Sequence, residues 1–254
     1  MDDPFTNWFD ALYERHLQTL SFQELRRAVQ ALSILYVERR GRIGRGTALD
    51  GAGKRAAFAC YFAPLHFLLV REIVRALGAG KAATPAILDL GCGTGAGGAA
   101  WALEMDPPPK VIGVDRSPWA LHEAKRTYSF FRLRAAVRSL DLSTLRVPPE
   151  TGVIAAFAVN EMDGPSRDRL RRKLQTAQTV SKHGAPVLII EAIARRAALW
   201  WAEWSKEWKD TIGLEREWRF HIQLPERLSL LDKAAGLDHR ELTGRSLWLP
   251  GRPT

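Results

Sequence analysis

The stretch that decides the fold is Ile87–Gly98, which reads ILDLGCGTGAGG. An apolar, strand-like run, Ala86–Leu88, leads into Asp89, and three glycines follow at alternate positions. The glycines are Gly91, Gly93 and Gly95. Glycine permits positive φ and lets a ligand come close to the backbone, because it has no Cβ. The small and apolar residues that come next indicate the start of a helix, so the stretch predicts a nucleotide-binding corner of strand, turn and helix.

A second predicted strand, Val111–Val114, ends in Asp115, twenty residues after Gly95. A carboxylate at that place can accept hydrogen bonds from both hydroxyls of a ribose. Because Ser117 and Pro118 follow, Asp115 or Ser117 is also a candidate N-cap of the next helix. The two roles of Asp115 are compatible.

The glycines alone leave the nucleotide open, because the same run can be read as the dinucleotide fingerprint Gly91-x-Gly93-x-x-Ala96. Three details favour S-adenosylmethionine (SAM) over NAD. Asp89 stands two residues before the first glycine, where it could meet the amino group of a methionine moiety. The glycine spacing is G-x-G-x-G, with alanine at the third dinucleotide position. The chain also ends in a predicted antiparallel strand pair.

From Pro85 onward, predicted strands and helices alternate, as a doubly wound parallel sheet requires. The predicted strands of this part are Ala86–Leu90, Lys110–Asp115, Ala135–Leu140, Gly152–Val159 and Ala185–Glu191. A helix over Ala192–Lys209 and an irregular stretch to Gln223 follow. Two short strands, Asp238–Leu242 and Arg245–Leu249, are then expected on either side of a tight turn at Thr243-Gly244. Helices fill the first third, with a kink expected at Pro64.

The bulk properties limit the class of protein. A chain of 254 residues suits one α/β domain with an extension. Two cysteines, Cys60 and Cys92, are too few for a disulfide framework, and the scattered histidines show no metal-ligand spacing, so no metal is expected. With no signal pattern at the N-terminus and no apolar run of about 18–20 residues, the expected location is cytoplasmic, without a membrane partner.

The formal net charge is +9. A basic chain suits a polyanionic partner such as RNA, through contacts to phosphates. Two basic groups are candidates for those contacts, Arg39–Arg55 in a glycine-rich loop and Arg167–Lys173 on a predicted helix. The alternative is that the charge only reflects free use of arginine and has no specific partner.

The segments ILDLGCGTG and VIGVDRS together resemble the glycine motif and the following acidic motif of class I SAM-dependent methyltransferases. The resemblance implies a Rossmann-like α/β fold with a seven-stranded sheet, SAM as the cofactor, and an acidic residue after the third strand that accepts from the adenine amino group. Asp141 stands at that place, with Leu142 beside it. The predicted cofactor-binding residues are Asp89, Gly91, Cys92, Gly93, Gly95, Asp115, Arg116, Asp141 and Leu142.

The acceptor side is predicted at Asn160 and Glu161, which close the fourth strand. Ligands of open α/β sheets bind at the carboxyl ends of strands, so Glu161 is a candidate general base or substrate-orienting group. The alternative is a pair that only orders the loop. A run of tryptophans, Trp200, Trp201, Trp204 and Trp208, has helical spacing. It predicts either an aromatic wall for a substrate or, more simply, core packing.

A second likeness covers Leu32 to Glu161. The segments ALSILY, KRAAFACYFAPLHFLLVREIVRAL and ILDLGCGTGAGGAAWAL resemble the methyltransferase-like family associated with the mitochondrial ribosomal small subunit and its bacterial relatives. Tyr61 and Trp101 stand at matching places, and VNEM resembles the Asn-Glu-Leu of that family. Several members carry cysteines for an iron–sulfur cluster in the second half, whereas this chain has none after Cys92.

These observations predict a helical N-terminal extension over residues 1–84 and a SAM-binding methyltransferase domain over residues 85–254. The expected function is SAM-dependent methyl transfer to RNA, with ribosomal RNA or the small ribosomal subunit as the partner. Two alternatives stay open. One is a small-molecule methyltransferase with a Trp-lined pocket, and the other is a non-catalytic SAM-binding factor of ribosome assembly.

Overall fold

The computed structural model describes residues 3–38, 51–141, 144–182, 184–193, 199–209 and 213–251. The strands of the described chain are β1 (Ala86–Leu90), β2 (Lys110–Asp115), β3 (Ala135–Ser139), β4 (Thr151–Ala156), β5 (Val187–Glu191), β6 (Leu214–Phe220) and β7 (Leu242–Leu249). The α-helices are α1 (Pro4–Leu17), α2 (Phe22–Glu38), α3 (Ala52–Ala57), α4 (Ala63–Leu77), α5 (Ala96–Ala102), α6 (Pro118–Phe130), α7 (Gly164–Val180), α8 (Leu199–Lys209) and α9 (Glu226–Ala234).

The strands form one seven-stranded sheet in the order β3-β2-β1-β4-β5-β7-β6. Pairing is parallel from β3 through β5, and β7 runs antiparallel to β5. The central strands β1, β4 and β5 are apolar and almost wholly buried, as expected of strands covered on both faces. Because the parallel strands point the same way, the carboxyl ends of β1, β2, β4 and β5 meet at one edge. This confirms the predicted α/β fold with a class I methyltransferase sheet.

The chain divides into two compact units. Unit 1 contains Met1–His66 and Phe220–Leu242, and unit 2 contains Phe67–Arg219 and Thr243–Thr254. These limits differ from the boundary between residues 84 and 85 that the sequence favours, and that boundary stays a prediction.

The end of the sheet differs from the sequence prediction. No tight turn forms at Thr243-Gly244, because both residues lie inside the single strand β7. A Cβ on Gly244 would lie 3.0 Å from Leu69 Cδ2, so glycine there permits close packing rather than a turn. The reversed strand pairs with β5, and its other neighbour is β6, which lies in the stretch predicted to be irregular.

Local capping signals set several helix starts. Ser21 and Glu24 form the predicted capping box, with the Ser21 N–H donating to Glu24 Oε2 at 2.8 Å. The hydroxyl of Ser117 accepts from the Ala120 N–H at 3.3 Å, and Asp163 accepts from the Ser166 N–H at 2.8 Å. The caps Ser117 and Asp163 are each followed by a proline in the first turn of the helix, where proline fits because its missing N–H would have no helical partner.

The long apolar helix around Pro64 contains a π-helical turn, Phe58–Phe62, between α3 and α4. Pro64 has no N–H and would crowd the carbonyl one turn earlier, and the wider π turn accommodates that loss. The combined helix, Ala52–Leu77, is long and apolar enough to cross a membrane by length and composition. Since 72% of its most apolar stretch is buried inside the protein, this is weak evidence for a span.

Unit 1 contains a hydrogen-bonded cluster of its own. Asp232 accepts from the hydroxyl of Tyr61 and from the backbone N–H of His239, the latter at 2.9 Å. The His239 Nδ1 lies 2.7 Å from Asp232 Oδ1 and 2.8 Å from the Tyr61 hydroxyl. Burial and the neighbouring carboxylate raise the pKa of Tyr61. Asp232 and His239 also line a cavity of about 550 Å³.

Candidate functional site

The predicted glycine turn between β1 and α5 is present. Gly91, Gly93 and Gly95 have φ values of +62°, +51° and +81°, which lie in the region where only glycine is unstrained. A Cβ on Gly91 would lie 2.6 Å from the Ala158 Cβ, which is closer than packed carbon atoms approach. The turn therefore needs glycine for its own geometry, before any ligand is considered. We call residues 89–95 together with Asp115 the glycine corner.

Asp89 lies under this turn and is 1% exposed. Its Oδ2 accepts from the Gly98 N–H at 2.8 Å and from the Tyr128 hydroxyl at 3.1 Å. Burial raises the pKa of Asp89 to about 7, and the two hydrogen bonds oppose that rise. Asp89 thus anchors α5 and α6 to the turn, and its predicted contact with a methionine amino group stays a prediction.

Cys92, inside the turn, is buried and has a free thiol. Its backbone N–H donates to the Val114 carbonyl at 3.0 Å. Burial raises the pKa of the thiol, and the nearby charges of Asp89 and Asp115 raise it further. A neutral thiol at this place supports the packing of the turn against β2.

Asp115 occupies the end of β2, facing the turn. Its Oδ2 accepts from the Gly93 N–H at 3.0 Å and its Oδ1 from the Ser117 N–H at 2.9 Å. The two bonds hold the carboxylate in one orientation, and each oxygen keeps a second lone pair. The geometry is therefore compatible with both roles that the sequence indicates, at the helix start and toward two ribose hydroxyls.

The remaining predicted cofactor residues lie nearer the surface. Arg116 is exposed, and its charge partly opposes the rise that burial causes in the pKa of Glu161. Asp141 is exposed, and its backbone carbonyl accepts from the Thr144 N–H at 3.0 Å and from the Thr144 hydroxyl at 2.9 Å. Leu142 lies outside the described residues, as do residues 39–50 of the predicted basic loop.

The other end of the site is built around Glu191, the last residue of β5. Glu191 Oε1 accepts from the backbone N–H of Asn160 at 3.0 Å, and its Oε2 accepts from the Asn160 side-chain amide at 2.7 Å. The Asn160 Oδ1 in turn accepts from the indole N–H of Trp200 at 3.0 Å. Asn160 is thus engaged in holding the loop after β4.

Arg245 of β7 is the cross-strand partner of Glu191. Its guanidinium carbon lies 4.1 Å from the centroid of the Trp201 ring. Arg245 is 9% exposed, and within the described chain its Nε and Nη2 have no hydrogen-bond partner. Glu191 is 2% exposed, and burial raises its pKa to about 7, with opposing effects from the Asn160 N–H and the Arg245 charge. We call Asn160, Glu191, Trp200 and Arg245 the acceptor-side cluster.

Glu161 follows Asn160 in a short 3₁₀ turn, Val159–Glu161. Its side chain reaches solvent. Partial burial raises the pKa of its carboxyl, the charge of Asp115 raises it further, and Arg116 lowers it. Glu161 therefore lies near enough to Asp115 and Arg116 for their charges to act on its carboxyl.

The tryptophans of α8 are core residues, as the simpler interpretation of their spacing predicts. Trp200, Trp201, Trp204 and Trp208 are all buried, and they pack in the same apolar cluster as β4 and β5. Neighbouring rings meet edge to face, with centroids 5.5 Å apart for Trp200–Trp201 and 5.1 Å for Trp200–Trp204. Rings in this position offer no exposed face on which a base could stack.

Sequence reasoning missed Glu191, Arg245 and Tyr128. The signal for Glu191 was present, because it ends a predicted strand in the same way as Asp115. No comparable signal exists for Arg245 or Tyr128, whose partners are distant in the chain. Among the described residues, no group of three or more His, Cys, Asp or Glu side chains is placed to hold a metal ion.

Comparisons with known proteins agree with this geometry. Residues 87–184 match a family model described as a methyltransferase domain. No curated protein matches the sequence. Among solved structures, the chain is similar to the plantazolicin methyltransferase BpumL in complex with S-adenosyl-L-homocysteine (SAH). The identity is 14% and the TM-score 0.51, over 91% of this chain and 98% of that one.

A second similar structure is magnesium protoporphyrin IX methyltransferase from Synechocystis PCC 6803 with bound SAM. The identity is 16% and the TM-score 0.50, over 100% of this chain and 99% of that one. At such identities the likeness shows the fold alone. Residues 87–184 therefore form a SAM-dependent methyltransferase domain, and the strand order is that of the class I methyltransferase fold.

The residues present fit SAM by their charge. Four carboxylates, those of Asp89, Asp115, Glu161 and Glu191, converge on one edge of the sheet. Burial is the main cause of the raised pKa values of Asp89, Glu161 and Glu191, and repulsion between neighbouring carboxylates adds to it, because Asp115 raises the pKa of Asp89 and Glu161, and Glu161 raises that of Glu191. A ligand with a positive sulfonium centre relieves such repulsion. An anionic dinucleotide would increase it.

Proposed function

We propose that this methyltransferase transfers the methyl group of SAM to RNA, and that the RNA belongs to the small ribosomal subunit. The observation that supports the proposal is the excess of positive charge in unit 2. Unit 2, which contains the sheet, has 25 of the Lys and Arg residues against 17 Asp and Glu residues. Unit 1 has 12 against 11. A basic unit around a methyl-transfer site favours an acceptor with a phosphate backbone.

The choice of ribosomal RNA rests on the resemblance over Leu32 to Glu161. It is supported by the alanine- and tyrosine-containing helix before the sheet and by Asn160-Glu161 after β4. The buried tryptophans of α8 count against the alternative of a Trp-walled pocket for a small molecule.

On the cofactor side, we propose that Asp115 binds the ribose hydroxyls through the lone pairs left free by Gly93 and Ser117. The turn Gly91–Gly95 brings the backbone close to the methionine moiety, and Asp141 accepts from the adenine amino group. SAM supplies the electrophilic methyl group, so the protein mainly positions the two reactants.

On the acceptor side, Glu191 keeps the loop after β4 in one conformation through its two bonds to Asn160. Glu161, which directly follows Asn160 in the chain, then faces the edge of the sheet at which the acceptor must lie. Its raised pKa suits a group that accepts a proton from the attacking atom or orients that atom by a hydrogen bond.

The test is transfer of tritiated methyl groups from SAM into an extract of the source organism, separated afterwards into ribosomal RNA, protein and small molecules. We expect label in the RNA of the small subunit, and none with the Gly93→Arg variant. Label confined to small molecules would show that the acceptor is a small molecule and not RNA. If no fraction is labelled while calorimetry on the same sample confirms SAH binding, the protein is a non-catalytic SAM-binding factor.

A further inference from the structure

The loop after β4 begins with a residue in an unusual conformation. Phe157 directly follows β4 and has φ +59°, in the left-handed region that bulky side chains rarely adopt. Its backbone N–H donates to the Ile190 carbonyl at 2.8 Å, so β5 fixes the chain at this point. Strained residues persist where their surroundings over-determine them, and they cluster at active sites and ligand contacts. The strain therefore marks the loop from Phe157 to Met162 as a candidate functional segment.

Two side chains hold this loop, one on each side of Glu161. Before Glu161, the oxygens of Glu191 accept from the Asn160 backbone N–H at 3.0 Å and from the Asn160 amide at 2.7 Å. After Glu161, the carbonyl of Met162 accepts from Arg167 Nη1 at 2.8 Å. Glu161 thus lies between two neighbours that side chains from β5 and α7 each hold in place.

The two ends of this arrangement are joined through Trp200. Its indole N–H donates to Asn160 Oδ1 at 3.0 Å, and the guanidinium carbon of Arg167 lies 5.8 Å from the centroid of its ring. Trp200 is 7% exposed and packs in the same apolar cluster as β4 and β5, so the core sets its position. The contacts form a path from Asn160 through Trp200 and Arg167 to Met162, with Glu161 between its two ends.

The contact between Arg167 and Met162 also ties the start of α7 to the preceding loop. Asp163 already fills the capping role there, because its carboxylate accepts from the Ser166 N–H at 2.8 Å and its carbonyl from the Arg167 N–H at 2.9 Å. Helix capping therefore does not require the guanidinium of Arg167. Among the described residues, the partners of that guanidinium are a neutral carbonyl and a neutral ring.

The charged groups that act on Glu161 belong to other elements. Asp115 and Arg116, at the end of β2, act on its carboxyl, and Glu161 in turn acts on Glu191. Burial is the largest cause of the raised pKa of Glu161, and that burial depends on where the loop holds the side chain. Loosening the loop therefore gives the carboxyl more contact with water and lowers its pKa toward the ordinary value.

We propose that Arg167 is a positioning residue for Glu161, acting together with Glu191 to hold the two chain neighbours of Glu161 in one conformation. The inference rests on the proposed function, in which Glu161 contacts the methyl acceptor. It goes beyond that function, because Arg167 acts through the backbone of the loop and not on either reactant.

The test compares Arg167→Gln with the matched control Arg172→Gln. Both substitutions remove one positive charge from α7, and Arg172 is exposed and lies more than one turn further along the helix. Transfer of tritiated methyl groups at saturating SAM is measured from about pH 5 to 9. The acceptor is whichever fraction of the extract the wild-type protein labels, supplied over a range of concentrations.

We expect Arg167→Gln to lower the maximal rate at least ~10-fold, because a misplaced group loses the advantage of orientation. The acid limb of its pH–rate profile should move to lower pH, since the carboxyl of Glu161 becomes better solvated. The KM for the acceptor fraction and the Kd for SAH should keep their wild-type values. Arg167→Lys can still donate to the Met162 carbonyl and should recover part of the rate.

Three results would overturn the assignment. The first is a maximal rate and an acid limb that stay as in the wild type, and the second is an equal loss of rate in Arg167→Gln and Arg172→Gln. The third is a raised KM with an unchanged maximal rate, which would show that Arg167 contacts the acceptor itself, as the sequence predicts for the basic group of α7.

Failure of the inference and failure of the proposed function are distinguishable. If the wild-type protein labels only small molecules, the RNA acceptor is wrong, and the variants are compared on the labelled small-molecule fraction. Hydrogen exchange of the Glu161 and Met162 amides, followed by NMR with SAH bound, needs no acceptor. Exchange should be ~10-fold faster in Arg167→Gln than in Arg172→Gln, and equal exchange would overturn the positioning role even if no fraction is labelled.

Discussion

The glycine corner and the acceptor-side cluster lie at the same edge of the sheet but are built from different parts of the chain. The glycine corner is formed mainly by the backbone. Three of its residues have positive φ, and the N–H groups of Gly93 and Ser117 orient the carboxylate of Asp115. The acceptor-side cluster uses side chains that come from residues 160, 191, 200 and 245.

The difference has an energetic consequence. At the glycine corner, a substitution introduces a Cβ into occupied space and strains the backbone. In the acceptor-side cluster, a substitution leaves a buried polar or charged group without its partner. One region is therefore sensitive to the size of a residue and the other to its charge and hydrogen bonds.

The largest effect is expected from Gly91→Val. A β-branched side chain at φ +62° is strained, and its Cβ would lie 2.6 Å from that of Ala158. Strain and overpacking together should lower the free energy of unfolding by roughly 4 kcal/mol, measured by urea denaturation. Gly78→Val is the control, because Gly78 has φ +65° with nothing within 4 Å of its Cβ position. Equal losses in the two variants would show that the contact with Ala158 is unimportant.

A slightly smaller loss is expected from Glu191→Ala. The substitution removes the acceptor for two Asn160 donors and the largest of the carboxylate charges that act on the buried Arg245, on which Glu215 and Glu217 also act. The free energy of unfolding should fall by roughly 3 kcal/mol. Glu191→Gln keeps an acceptor oxygen and should recover part of the loss. A Glu191→Ala protein as stable as the wild type would show that the cluster contributes no stability.

Gly93→Arg tests binding rather than folding. A bulky side chain in the middle of the turn should exclude the cofactor, so the Kd for SAH should rise by at least ~100-fold, equivalent to about 2.7 kcal/mol. Strain at φ +51° should cost only about 1–2 kcal/mol of stability. Gly78→Arg carries similar strain outside the site and should bind SAH normally. Unchanged affinity of Gly93→Arg in calorimetry would refute the assignment of the cofactor site.

The last prediction concerns Asp89 and the pH dependence of the free energy of unfolding, where the expected change is smallest for a step of one pH unit. Below pH ~4 its carboxyl is protonated in both states. Between about 4 and 7 the unfolded chain has lost that proton while the folded protein keeps it, because burial raises the folded pKa to about 7. Rising pH therefore lowers the free energy of unfolding by up to ~1.4 kcal/mol per pH unit, and the effect levels off above pH 7.

The neutral variant Asp89→Asn isolates this contribution. Its amide oxygen can still accept from Gly98 and Tyr128, but it does not titrate. The stability of the variant relative to the wild type should therefore increase from pH 4.5 to 7 and then stay constant, as measured by denaturant unfolding at each pH. A difference that is independent of pH would show that Asp89 ionises normally in the folded protein.

Elements with local signals agree closely between sequence and structure. The glycine turn, the strand ending at Asp115 and the capping box of Ser21 and Glu24 each depend on residues close together in the chain. The prediction of a tight turn at Thr243-Gly244 was wrong. Glycine is needed there because Leu69, which is distant in the sequence, packs against that position. The strand Leu214–Phe220 was missed, and its place at the sheet edge follows from the position of β7.

The sequence by itself determined the fold class and the nucleotide corner, because positive φ and close backbone approach restrict which residues are possible at a few adjacent positions. Only the tertiary structure decided that Asp89 is buried, that Asn160 is held by Glu191, that the α8 tryptophans are core, and that Arg167 lies against Trp200. Each of these depends on side chains from distant segments, whose burial and spacing exist only after the sheet has assembled. The acceptor-side cluster therefore depends on packing between distant segments, whereas the glycine corner depends mainly on the local chain.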